Sequence, residues 1–228
     1  MTAAPIAHRG LHRPGPACPE NSLAALDAAF EAGFPAEVDV QLSRDGEVVI
    51  FHDHGLKRLT GVPGKLSDRT VRQISRLRIH GGGETPPLLR DAVALFPDLP
   101  LLIELKMGDP RLPGAVAAVL DGYDGPFAVQ SFDPDIVRWF ADNRPDWPRG
   151  LIAYEKLQFS FRAREPRYLP SFIPHCRPDF VAWHVGDLPV PPDVPADLPV
   201  LTWTVRSHAD RRRAKRHADN MIFEGFWP

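Results

Sequence analysis

The sequence predicts an α/β protein, a (β/α)8 TIM-type barrel with a short β-hairpin excursion after the second strand. Short apolar runs alternate with helical patterns along the 228 residues, as expected of βα units around a parallel sheet. Nine strand candidates exceed the eight of a closed barrel. Only "SRDG" (43–46) joins the second candidate to the third, which is too short for a parallel crossover and predicts a hairpin. An open doubly wound sheet is the alternative, although no G-x-G-x-x-G follows a strand.

The individual elements follow from apolar periodicity and from helix start and stop residues. The predicted strands are 5–9, 36–42, 47–52, 101–106, 127–132, 150–154, 179–183, 200–205 and 220–225. The predicted helices are 21–33, 67–77, 133–143 and 208–218. The first helix is expected to start at an N-cap residue, Asn21, and to stop at Gly33. Because neither a repeat nor a linker is found, residues 1–228 are predicted to form a single barrel domain.

Composition excludes several classes of protein. Hydrophobic residues make up 43% of the chain and charged residues 25%, which is typical of a soluble globular protein. The net charge is −2, so no nucleic-acid partner is indicated. We find no apolar run of about 18 residues and no signal-peptide core near the start, and therefore expect no transmembrane segment and a cytoplasmic location. For Cys18 and Cys176, free thiols are favoured over a disulfide.

The second predicted strand carries two carboxylates. "AEVDVQL" (36–42) alternates strictly, so Glu37 and Asp39 share the face opposite the apolar side chains. A solvated strand face is one explanation. The fourth strand, "LLIELK", brings Glu104 to the same end of the predicted barrel, where such folds place their chemistry. Three buried anions are costly without a counter-charge, and oxygen ligands favour a hard divalent cation, Mg²⁺ or Ca²⁺.

Basic residues and histidines follow the same strands. Arg9 and Lys106 add positive charge to a mouth that already holds a cation, so a phosphate is the ligand they suit. Lys106 has a second explanation, an internal salt bridge with Glu104. His8 and His52 end the first and third strands, and the imidazole pKa suits a general acid and base.

The ordered motifs carry a resemblance to a known family. In sequence order they are "AHRG", "PENS", "EVD", "DGEVVIFHD", "GGGETPPL", "LLIELK", "QSFDP" and "TWTV". Each is weak alone, but the series from His8 to Val205 resembles the glycerophosphodiester phosphodiesterase family. The chain departs from the pattern at Arg206, where the family often has Asn, and at Glu224, where Asp is commoner.

The resemblance implies a (β/α)8 barrel that hydrolyses glycerophosphodiesters to glycerol 3-phosphate and an alcohol. It implies that His8 and His52 form the acid/base pair and that a cyclic phosphate is an intermediate. By the same resemblance, the ligands of one divalent cation are Glu37, Asp39 and Glu104, and the phosphate contacts are Arg9 and Lys106. Rival hypotheses are a barrel that binds phosphorylated ligands without turnover and a phospholipase-like enzyme on intact lipids.

Several roles stay open from the sequence. Asp53 either orients His52 or faces solvent, and Asn21 is favoured as a helix cap over a ligand. Trp203 contacts either the glycerol of the substrate or the core. Segment 159–170 is predicted to be a loop over the barrel mouth, and 159–168 is the candidate apolar approach surface for lipid. The headgroup, the preferred ion, the assignment of acid and base, the oligomeric state and the roles of loops 11–18 and 155–178 are not indicated.

Overall fold

The structure, a computed structural model, describes residues 4–154 and 169–228. The chain divides into two compact units, comprising Ile6–Phe127 and Ala128–Pro228. The strands of the first unit are β1 (Ile6–Ala7), β2 (Ala36–Leu42), β3 (Val48–Ile50) and β4 (Leu101–Leu105). Its helices are α1 (Leu23–Glu31), α2 (Lys57–Thr60), α3 (Val71–Ile74), α4 (Leu89–Leu95) and α5 (Leu112–Leu120).

Strand β2 organises the first unit. It pairs in parallel with β1 and with β4, and antiparallel with β3. The antiparallel register joins Val40 to Ile50, which confirms the predicted hairpin. All seven residues of β2 are buried, so its polar face is covered as completely as its apolar face.

Helix α1 begins one residue later than predicted. The hydroxyl of Ser22 accepts a hydrogen bond from the Ala25 N–H at 3.1 Å and caps the helix. The prediction of Asn21 as the cap is wrong, because Asn21 lies outside the helix in a left-handed conformation with φ of 56°. Gly33 has φ of 72° just after the helix, consistent with the predicted stop.

The predicted helix over 67–77 is also wrong. The chain forms a 3-10 turn over Leu66–Asp68 and then the separate helix α3. Arg69 is extended between them, because the side chain of Gln73 accepts the Thr70 N–H at 3.0 Å and starts a new helix. An apolar cluster holds this segment on the unit; it contains Val49, Phe51, Leu56, Leu59, Leu66, Ile74, Ile79 and Leu88.

The second unit is a run of parallel strands. They are β5 (Phe127–Ser131), β6 (Arg149–Ala153), β7 (Phe180–His184), β8 (Val200–Val205) and β9 (Asn220–Phe223). Each pairs in parallel with the next. Its helices are α6 (Pro134–Asn143), α7 (Ile173–Cys176) and α8 (His208–His217). Helices α6 and α8 confirm the predictions over 133–143 and 208–218.

Two further predictions concern thiols and membrane segments. Cys18 and Cys176 are both free, as predicted. Across residues 4–154 and 169–228, we find no helix with the length and hydropathy that crossing a bilayer requires.

Candidate active site

Three carboxylates converge in the first unit. Asp39 on β2 and Glu104 on β4 are register partners, and Glu37 precedes Asp39 on the same face of β2. One oxygen from each carboxylate lies within 4.8 Å of the other two. Because the side chains of Glu37 and Asp39 are only 1% exposed, a solvated strand face does not explain them.

Two cations neutralise part of this charge. The Nζ of Lys106 lies 2.7 Å from Asp39 Oδ1 and 2.5 Å from Glu104 Oε1. The internal salt bridge considered for Lys106 is therefore present, and it reaches two carboxylates. The Nε of Arg9 lies 3.4 Å from Asp39 Oδ2. Three carboxylates thus face two permanent positive charges in a buried site.

Burial and the neighbouring charges shift the pKa values of the three carboxyls in different directions. Burial raises the pKa of Glu37 well above its usual range, and the carboxylates beside it add to the rise. Burial also raises the pKa of Glu104 to about 7, against the attraction of Lys106. For Asp39, the positive charge of Lys106 and the proximity of His52 outweigh burial and hold its pKa below the ordinary value. Asp39 is the permanent anion of the site.

The donor set fits a hard divalent cation. Within the part of the chain that the structure describes, the buried Oε1 of Glu37 has no hydrogen-bond partner, and leaving such an atom unpaired is costly. Glu37, Asp39 and Glu104 offer oxygen atoms only, which Mg²⁺ and Ca²⁺ prefer. The predicted ligand set is therefore brought together as a candidate metal site.

The turn after β1 contacts the carboxylate cluster through its backbone. The Arg9 N–H donates to Glu37 Oε2 at 2.9 Å, with Arg9 in a left-handed conformation at φ 55°. Gly10 follows with φ 77°, and a Cβ on it would lie 2.8 Å from the backbone of Ala25. Both the positive φ and the close approach to Ala25 require glycine at this position. This explains the glycine of the "HRG" motif.

Asn21 belongs to the candidate site, although the sequence favoured it as a helix cap. Its Nδ2 donates to Asp39 Oδ2 at 2.8 Å, and its Oδ1 accepts from the Asp39 N–H at 3.2 Å. Asn21 therefore fixes both the position and the side-chain orientation of Asp39. The available signal was the residue type, since asparagine is enriched in left-handed conformations beside helix starts.

The two predicted catalytic histidines each lie near a carboxylate. The Nε2 of His8 is 4.0 Å from Glu37 Oε2. The Nδ1 of His52 is 2.7 Å from Asp53 Oδ1, so of the two explanations for Asp53 the orienting contact is observed. Burial lowers the pKa of His52 and outweighs the opposing attraction of Asp39. Nδ1 is the ring nitrogen that faces Asp53, so an imidazole that carries its proton on Nδ1 fits this contact.

Gln41 supports the segment that carries His52, and it too was not singled out. Its Nε2 lies 2.8 Å from the Phe51 carbonyl oxygen, 3.1 Å from that of His52 and 2.9 Å from that of Asp53. Gln41 shares the buried polar face of β2 with the two carboxylates, so one strand supplies metal-ligand candidates and a support for the histidine.

Trp203 lies on β8 in the second unit. Its Nε1 donates to the Ala182 carbonyl oxygen at 2.9 Å. Its ring packs edge-on against Phe132, Tyr154 and His184, with centroids 5.4, 6.3 and 5.3 Å away. These contacts support the packing role considered for Trp203, and contact with substrate stays a prediction.

The two departures from the family pattern meet in the structure. Arg206 Nη2 lies 2.7 Å from Glu224 Oε2, so the two unusual residues form an ion pair. The predicted mouth loop and lipid approach surface, 159–170, fall largely outside the described residues, which stop at 154 and resume at 169.

Comparison with known sequences supports the family resemblance that the motifs indicate. The model of the glycerophosphoryl diester phosphodiesterase family matches residues 8–113, which include the whole charged site of the first unit. A glycerophosphodiester phosphodiesterase from Caldanaerobacter subterraneus subsp. tengcongensis is 38% identical over 118 residues, 48% of this chain and 47% of that protein. The chain spans about half the length of the curated relatives it matches.

Comparison with solved structures extends over nearly the whole chain. An Oleispira antarctica phosphodiesterase, solved with the product sn-glycerol-3-phosphate, has a TM-score of 0.80 at 24% identity and covers 96% of this chain and 91% of its own. A related structure from Silicibacter pomeroyi has a TM-score of 0.81 at 23% identity, covering 97% and 90%. The likeness confirms the predicted TIM-type (β/α)8 fold, with β3 as the additional strand bonded to β2.

Proposed function

The chain belongs to the glycerophosphoryl diester phosphodiesterase family, and on this premise we propose that it hydrolyses glycerophosphodiesters to glycerol 3-phosphate and an alcohol. The observation that carries the proposal is the buried set of three carboxylates beside two cations and two histidines. The glycerol 3-phosphate bound by the Oleispira relative suggests the product.

The cation would be held by Glu37, Asp39 and Glu104, and Mg²⁺ or Ca²⁺ suits their oxygen atoms. When bound, a divalent cation polarises a phosphoryl oxygen and lowers the pKa of a nearby hydroxyl. Lys106 now pairs with Asp39 and Glu104. Once those carboxylates are neutralised, its ammonium and the guanidinium of Arg9 are free to bind phosphate oxygens.

Proton transfer is assigned to the two histidines. His52 accepts the proton of the substrate hydroxyl at Nε2, because its lowered pKa and the Asp53 contact keep that nitrogen unprotonated. The hydroxyl oxygen attacks phosphorus, the bond from phosphorus to the alcohol oxygen breaks, and His8 protonates the departing alkoxide. The resulting cyclic phosphate is opened by water with the two roles reversed.

Two further points complete the proposal. Trp203, half-exposed on β8, is proposed to contact the glycerol of the substrate through its apolar ring. A cytoplasmic location is proposed as well, and the two free cysteines support it.

The test is release of glycerol 3-phosphate from glycerophosphocholine and glycerophosphoethanolamine after EDTA treatment, with Mg²⁺, Ca²⁺ or Mn²⁺ added back. We expect one of the ions to restore release. His8→Asn and His52→Asn should each lower kcat by about 10²- to 10⁴-fold, whereas His217→Asn, on the exposed face of α8, should not.

Two measurements run beside this assay, phosphate binding and turnover of a micellar lysophospholipid, separate the rivals. A barrel that binds phosphorylated ligands without turnover retains phosphate affinity and releases nothing. A lipid-active enzyme turns over micellar lysophospholipid faster than the soluble diesters. Either outcome would overturn the proposed substrate.

A further inference from the structure

Arg58, which the proposed chemistry does not use, connects to the His52 side of the site. It lies on α2, outside the carboxylate cluster, and its side chain is 46% exposed. Its Nε lies 2.6 Å from Asp53 Oδ2 and its Nη2 lies 2.9 Å from Asp53 Oδ1. This is a bidentate contact with the carboxylate that holds the Nδ1 of His52.

The same guanidinium also reaches the Arg9 side of the site. Its Nη1 and Nη2 lie 2.7 and 2.8 Å from the two carboxylate oxygens of Glu20. Glu20 Oε1 in turn accepts from Arg9 Nη1 at 2.6 Å. One arginine therefore clamps two carboxylates, and each carboxylate holds one active-site side chain.

The chain of contacts His52–Asp53–Arg58–Glu20–Arg9 links the predicted acid/base residue to the predicted phosphate contact. Arg58 holds the Asp53 carboxylate in place through two hydrogen bonds, which also lower the pKa of that carboxyl to about 2. An ionised carboxylate only accepts hydrogen bonds, so His52 must present Nδ1–H to it and leave Nε2 for the substrate. At the other end, Glu20 holds the Arg9 fork that is to receive phosphate oxygens.

We propose that Arg58 is a positioning residue that orients His52 through Asp53 and Arg9 through Glu20. The inference rests on the proposed function for its kinetic consequence, but the orientation of His52 can be measured without turnover. A purely structural role is a poor explanation, because ion pairs this exposed contribute little to stability. The fold of this segment depends instead on the apolar cluster beneath it.

The experiment compares Arg58→Ala with a matched control, Arg90→Ala. Arg90 is 51% exposed and pairs with Glu47 in the same unit. We expect Arg58→Ala to lower kcat by about 10- to 100-fold, as outer partners of active-site groups typically do. Millimolar guanidinium should restore part of this loss, and Arg58→Lys should retain less than full activity because lysine lacks the fork. Arg90→Ala should keep wild-type kcat, with a similar melting temperature for both alanine variants.

A second readout separates this inference from the proposed function. In wild-type protein, ¹⁵N correlation spectra should show His52 as the Nδ1–H tautomer, and Arg58→Ala should give a mixture of tautomers. If wild-type protein hydrolyses no phosphodiester, the spectra still test the positioning role. An unchanged tautomer together with unchanged kinetics in a folded Arg58→Ala protein would overturn the inference.

Discussion

Asn21 forms two hydrogen bonds with Asp39, one to its side chain and one to its backbone. Its Nδ2 donates to Asp39 Oδ2 at 2.8 Å while its Oδ1 accepts from the Asp39 N–H at 3.2 Å. Both side chains are buried, so solvent does not compete for these hydrogen bonds. The geometry of the one permanently ionised carboxylate of the cluster therefore depends on a residue in the turn before α1.

Replacing Asn21 should weaken cation binding. We expect Asn21→Ala to lower the affinity for Ca²⁺ or Mg²⁺ by about 10- to 100-fold, because Asp39 loses the partner that orients it. Isothermal titration calorimetry on EDTA-treated protein measures this. Ser22→Ala is the matched control: it should cost about 1 kcal/mol of stability through the lost cap and leave cation affinity unchanged. Equal affinities in all three proteins would show that Asn21 does not orient the ligand.

Replacing Lys106 should separate cation binding from catalysis. Lys106→Met removes a positive charge 2.7 Å from Asp39. Because unit charges about 4 Å apart interact by several kcal/mol at a protein-like dielectric, divalent-ion affinity should rise at least about tenfold. The kcat should nevertheless fall by about 100-fold, as when one preorganised donor to a reacting anion is lost. Calorimetry and the glycerol 3-phosphate assay give the two numbers, with the exposed Lys57→Met as control. A variant that binds the ion more weakly would contradict the electrostatic argument.

Stability should depend on pH through Glu104. Its folded pKa of about 7 exceeds the ordinary value of 4.5, so between these values the folded state binds more protons than the unfolded state. Without metal, this carboxyl therefore makes stability fall as pH rises from about 4.5 to about 7. Bound Ca²⁺ requires the ionised form, so the Ca²⁺-induced rise in melting temperature should be larger at pH 8 than at pH 5.5.

Glu104→Gln is the control for this pH effect. In metal-free protein it removes the titrating carboxyl, so differential scanning calorimetry should show a smaller difference in melting temperature between pH 5.5 and pH 8 for Glu104→Gln than for wild type. If Ca²⁺ raises the melting temperature of wild-type protein equally at both pH values, Glu104 does not bind a proton that the cation must displace.

Gly10 should be intolerant of any side chain. In Gly10→Ala, the left-handed backbone costs about 1–2 kcal/mol, and the new Cβ would also lie 2.8 Å from the Ala25 backbone. Gly46→Ala is the matched control, because Gly46 has φ of 88° with nothing within 4 Å of the added Cβ. Urea unfolding should show a larger loss for Gly10→Ala than for Gly46→Ala. Equal losses would mean that the close approach to α1 is unimportant.

Periodicity predicted much of the candidate site because strand geometry is regular. The alternation in β2 places Glu37 and Asp39 on one face, and the parallel register with β4 adds Glu104. The short "SRDG" connection was sufficient to predict the hairpin. These features depend on local spacing and on one pairing rule, both of which are readable from a sequence.

Contacts between distant segments were not predictable in this way. Glu20 and Arg58 are 38 residues apart, and no local pattern indicates that an exposed arginine contacts both Glu20 and Asp53. Asn21 was misassigned because Asn and Ser are both good caps, and only the structure shows that Ser22 takes the role. The helix predicted over 67–77 failed because Gln73 starts a new helix at Thr70, which interrupts the pattern.

The central claim is that Glu37, Asp39 and Glu104 hold the cation on which phosphodiester hydrolysis depends. Its most direct test titrates EDTA-treated protein with Ca²⁺ or Mg²⁺, following binding by calorimetry and glycerol 3-phosphate release from glycerophosphocholine in parallel. We predict no release without the ion, one ion bound per chain, release that rises with occupancy, and loss of both in Glu104→Gln. Undiminished release by ion-free protein that binds no cation would contradict the account.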